Sequence, residues 1–67
     1  MDKVAFDARR KELDITIKTL CDEMGIDEST YYRKMQKNGE TFTMFELSVI
    51  KRLFKLDAKS AVDMLLP

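Results

Sequence analysis

Sixty-seven residues with no histidine and a single cysteine, Cys21, leave little material for nucleophilic, acid–base or metal chemistry. A lone thiol cannot form an internal disulfide, and a zinc site drawn from His and Cys has too few ligands. The chain also lacks a Gly-rich run that could cradle phosphates and a carboxylate pair set in an evident pocket. No cofactor, metal or small-molecule ligand is therefore expected, and no enzymatic activity.

Charge is the chemistry that remains. Twelve Lys and Arg balance twelve Asp and Glu, whereas nucleic-acid binders usually carry a basic excess. The balance is uneven along the chain. Residues 28–39 hold Arg33, Lys34 and Lys37 against Glu28 alone, while residues 15–27 hold Lys18 against Asp22, Glu23 and Asp27. A local basic face can exist on a neutral molecule.

The elements that position these charges are helices. With 45% hydrophobic and 36% charged residues, two Gly and one Pro, the composition suits short amphipathic helices closing on one small core. No apolar run reaches the length of a membrane span, and MDKVAFDARRKELD lacks the apolar stretch of a signal peptide, so a cytoplasmic protein is expected. One all-α domain of five helices over 1–67 is predicted, at about residues 3–11, 17–24, 28–37, 44–55 and 58–66.

Phe6, Arg10 and Leu13 recur at helical spacing in the first helix. Arg10 on that inward stripe has two readings: an apolar stem with a wet guanidinium, or a buried ion pair. Thr16 caps the second helix, and Leu20 and Met24 face inward. Gly25 follows where the chain needs a left-handed residue. Asp27 caps the third helix, whose inward residues are Tyr31 and Met35, and Asn38-Gly39 end it. Thr43 and Glu46 have capping-box spacing at the head of the fourth, with Phe42 placed to staple it. Leu47, Ile50, Leu53 and Phe54 continue that helix, and Asp57 caps the fifth.

Two short helices joined through Gly25 and Ile26 match the spacing of a helix-turn-helix. The small Cys21 allows close approach of the pair and reads as structural. The segments TIKTLCDEMGIDESTYYRKM and NGETFTMFELSVIKRLFKLD together resemble the lambda-repressor-like, Cro-type helix-turn-helix family of phage and bacterial regulators, across nearly the whole chain. The most specific features are Thr16, Leu20 with a small neighbour, Gly25-Ile26, Ser29-Thr30, and Phe42-Thr43 followed by Glu46.

The resemblance implies a compact five-helix bundle that binds double-stranded operator DNA, as a homodimer or paired monomers, and regulates transcription, with a phage-type repressor favoured. It implies base contacts from Glu28, Ser29 and Arg33, flanked by Tyr32, with Arg33 suited to bidentate bonding with guanine. Phosphate contacts are expected from Thr16, Lys18, Lys34, Lys37, Asn38 and Thr41. About four to six such contacts would make log K fall with log salt at a slope near −4 to −5.

A second reading is a protein-interaction module of the same fold, consistent with zero net charge. Phe45 and Val49 stand one turn apart beside the core stripe, and Met64, Leu65 and Leu66 end the chain. Together they form a candidate patch for a partner or for self-association.

Overall fold

A computed structural model describes residues 1–66. The order of elements is α1 (Lys3–Glu12), α2 (Ile17–Met24), α3 (Glu28–Gln36), α4 (Met44–Leu53) and α5 (Ala58–Leu65). No strand is present among the described residues. Predicted and observed helices agree to within two residues at every end.

Each helix starts on an Asp or Thr whose side-chain oxygen accepts a backbone N–H three residues on. The caps are Asp2, Thr16, Asp27, Thr43 and Asp57. At α4 the cap is reciprocal: Glu46 N–H donates to Thr43 Oγ1 at 3.1 Å, and Thr43 N–H donates to Glu46 Oε1 at 2.8 Å. Such caps satisfy donors that the helix itself cannot.

The first four helices share one ending. Asp14, Gly25, Asn38 and Lys55 adopt left-handed φ angles of 56°, 74°, 57° and 55°. In each case the next residue donates its N–H five residues back: Ile15 to Arg10 O, Ile26 to Cys21 O, Gly39 to Lys34 O and Leu56 to Lys51 O, at 2.9–3.1 Å. These are Schellman closures, and their apolar followers Ile15, Ile26 and Leu56 pack on the core. Gly25 was legible as such a point and Asn38-Gly39 as a stop, whereas Asp14 and Lys55 were not. Asp14, Asn38 and Lys55 carry side chains at left-handed positions, and the closures explain why α3 stops at Gln36 rather than 37 and α4 at Leu53 rather than 55.

The core consists of Phe6, Leu20, Cys21, Met24, Tyr31, Phe42, Val49, Ile50 and Phe54. Phe6 and Phe54 meet at 4.8 Å between centroids in a tilted pair, a favoured aromatic geometry. The central α4 packs mainly on α2, α2 on α3, and α1 on α5. Polar ties fasten the outer elements: Arg9 Nε donates to Phe54 O at 2.9 Å, and Asp2 N–H to Met64 O at 2.9 Å.

Arg10 follows neither expected arrangement. Its side chain is 15% exposed, Nη1 donates to Ile15 O at 2.9 Å, and the nearest carboxylate oxygen, on Asp7, is 3.9 Å from Nε. The guanidinium thus serves the carbonyl of the residue that closes α1. The backbone leaving the helix turns back over Arg10 and supplies an acceptor for Nη1, while Nε is buried without a hydrogen-bond partner.

Candidate nucleic-acid interface

Residues 25–27 separate α2 from α3. Gly25, at φ 74°, reverses the chain with no atom within 4 Å of the place a Cβ would take, so backbone conformation alone demands glycine there. Ile26 turns inward and Asp27 reaches into the new helix, with its Oδ1 accepting Thr30 N–H at 2.7 Å and Ser29 Oγ–H at 3.0 Å. Those hydrogen bonds, from Thr30 first and then Ser29, hold the Asp27 carboxyl below its ordinary range. The start of α3 is thereby fixed in direction.

Tyr31 anchors α3 from below. It is buried against Phe42, 6.5 Å between centroids, and meets Tyr32 edge-on at 5.5 Å. The opposite side presents Glu28, Ser29, Tyr32 and Arg33, all exposed. The four expected base-contact residues therefore share a solvent-facing surface, with Tyr32 supported by the aromatic beneath it. Arg33 lies at one border, where Nη2 donates to Thr30 Oγ1 at 3.1 Å.

The expected phosphate-contact residues divide into two groups. Thr16, Lys18, Lys37, Asn38 and Thr41 are exposed. Thr16 Oγ1 accepts Thr19 N–H at 3.1 Å, and Lys18 pairs with Asp22 at 3.0 Å, an exposed pair that solvent screens. Lys37, Asn38 and Thr41 lie on the turn that follows α3, where Asn38 and Gly39 are both left-handed.

Lys34 differs from these in that its charge is already paired. Its ammonium donates to Glu46 Oε1 at 2.8 Å and to Thr41 O at 3.2 Å, and sits 5.9 Å from the Phe42 ring centroid. Glu46 is only 4% exposed. Burial pushes this carboxyl up, yet hydrogen bonds from Lys34 and from Thr43 N–H outweigh it and leave the group below its ordinary value. Lys34 is therefore a strut between α3 and α4. Helical spacing placed it beside Lys37 but could not reveal a carboxylate twelve residues away.

Between the far half of α3 and this turn lies an open recess of about 390 Å³, lined by Thr30, Arg33, Lys34, Gln36, Lys37 and Thr41. Gln36 was not expected to matter. It follows Tyr32 by one helical turn, which was the available signal.

The candidate partner patch is altered as well. Val49 is 2% exposed and belongs to the core, because the buried stripe of α4, with Glu46, Val49 and Ile50, is wider than a single row. Phe45 is 62% exposed, Leu66 is exposed, and Met64 and Leu65 are half-buried. Met44, 82% exposed, and Val62 complete an apolar groove between α4 and α5 with Leu47, Leu65 and Leu66.

No group of three or more potential metal ligands occurs among the described residues. No described helix is long and apolar enough to cross a membrane. Comparison with known families, with characterised proteins and with solved structures finds no match for this chain.

Proposed function

We propose that the protein is a helix-turn-helix regulator that binds double-stranded DNA, with α3 entering the major groove and α2 lying across the backbone. One observation carries the reading: a capped nine-residue helix, held from below by Tyr31, offers Glu28, Ser29, Tyr32 and Arg33 to solvent on a single face. A helix so presented fits the width of the major groove. Removing Lys34 from the backbone contacts leaves roughly three to five, for a salt slope near −3 to −4.

Selection of binding sites from random duplex DNA tests the proposal. A recurrent motif is expected, bound with the stated salt dependence. Failure to enrich any sequence, together with salt-independent binding, would overturn it.

The apolar groove between α4 and α5 favours a second reading, in which this face binds a protein partner or a second copy. Sedimentation across the micromolar range separates them for self-association: a strict monomer eliminates the homodimer.

A further inference from the structure

We propose that the groove between α4 and α5 receives one amphipathic helix of a partner protein, with its acidic side chains towards Lys51 and its basic ones towards Glu40. This inference rests on the second reading above, that the groove is a docking face, and is independent of DNA binding.

The groove encloses about 380 Å³, with Met44, Leu47 and Lys51 on the α4 side and Val62 and Leu65 on the α5 side. Two further lining residues, Ser48 on α4 and Ala61 on α5, are small, and the Ser48 hydroxyl is committed to its own helix, donating to Phe45 O at 2.6 Å. The lining offers a partner apolar surface and a single charge. A second recess of about 240 Å³ shares Leu47, Leu65 and Leu66 with the first and adds Glu40 and Phe42. Two adjoining recesses suit two apolar side chains one or two turns apart on one helix face.

The charges order the occupant. Lys51 lies one turn beyond Leu47 along α4, whereas Glu40 belongs to the turn that precedes this helix, so cation and acid stand at opposite ends. Both are exposed, and among the described residues neither forms an ion pair. A helix is itself most stable with acids in its first turn and bases in its last. Such a helix meets both charges of the groove when it runs from Lys51 to Glu40, antiparallel to α4.

A second copy of this chain supplies no such helix. Apart from this face and the neighbouring Phe45, the exposed large hydrophobics among the described residues are Val4 on α1 and Tyr32 on α3, and single residues on separate helices do not make a stripe. A twofold contact would instead set groove against groove and leave both floors unfilled, because a concave face is not complementary to itself. The ridge that fills the groove must come from another protein.

Two measurements on the full chain test this. In the first, a displayed library of helices about fifteen residues long, with a fixed leucine stripe and randomised end turns, is selected against wild type and against the double variant Glu40→Lys, Lys51→Glu. Wild type is expected to enrich acids in the first turn and bases in the last, and the double variant the reverse order. No enrichment, or the same order from both proteins, overturns the inference.

The second follows the affinity of an enriched helix by fluorescence anisotropy. Lys51→Glu is expected to weaken it about fivefold, and Ser48→Trp, which fills the floor from an exposed position, to abolish binding, with circular dichroism unchanged in both. Undiminished affinity in either variant overturns the inference. If no helix is enriched and wild type sediments as a dimer that Ser48→Trp dissociates, the occupant is a second copy: this inference fails while the docking reading survives. If neither a helix nor a second copy engages the groove, both fail.

Discussion

The Lys34 ammonium lies 2.8 Å from Glu46 Oε1, and the same carboxylate oxygen accepts the Thr43 N–H that opens α4. One buried acid therefore fixes both the far half of α3 and the first turn of α4. The turn carrying Lys37, Asn38 and Thr41 spans that bridge.

Breaking the pair from the cationic side leaves a desolvated carboxylate. Lys34→Met is expected to cost about 2 kcal/mol at pH 7. In the wild type the folded Glu46 carboxyl sits below its ordinary value of 4.5. Its contribution is present above that pH and is lost as pH falls through the lower folded value. In Lys34→Met burial dominates and the sign reverses, so acidification towards pH 4 narrows the gap between variant and wild type. Urea denaturation at pH 7 and pH 4 measures both; a gap unchanged with pH would refute the coupling.

Tyr31 gives dependence at the other extreme. Burial pushes its hydroxyl up to about 12 from an ordinary 10. The unfolded chain releases that proton first, so stability is retained below pH 10 and falls between about 10 and 12. Tyr31→Phe should remove a loss of about 2 kcal/mol over this interval. Denaturation curves at pH 9 and 11 for the two proteins decide it.

Phe45 and Val49, one turn apart on α4, should respond oppositely to truncation. Val49→Ala removes buried methyl groups and is expected to cost about 2 kcal/mol. Phe45→Ala, at an exposed position, should change monomer stability by less than about 0.5 kcal/mol. Thermal melts at low protein concentration make the comparison, and equal shifts would contradict the assignment of Val49 to the core.

Lys55 holds a left-handed conformation at φ 55° on an exposed turn. Lys55→Gly relieves the crowding of its Cβ at some entropic cost to the folded state, for a net stabilisation of about 0.5 kcal/mol. Gly25→Ala makes the opposite change and should destabilise by about 1 kcal/mol. A melt of each variant checks the pair, and a destabilised Lys55→Gly would mean that the side chain contributes more than its conformation costs.

Helix beginnings were readable from single residues because a cap is a local bond between a side chain and a backbone only three residues away. Thr16, Asp27, Thr43 and Asp57 were each identified in this way. Helix ends were less so: Gly25 and Asn38-Gly39 were readable as stops, whereas Asp14 and Lys55 adopt the same left-handed shape with no mark in their residue type.

The sequence by itself determined the five helices, four of their five caps and the reversal at Gly25, because each depends on spacing along one helix or on bonds between near neighbours. Tertiary structure alone decided the fates of Lys34, Arg10 and Val49. Their surroundings come from other segments: a carboxylate from α4 for Lys34, a carbonyl beyond α1 for Arg10, and the shared core for Val49. A charge is free or committed according to what folds against it, and no periodicity along a helix carries that information.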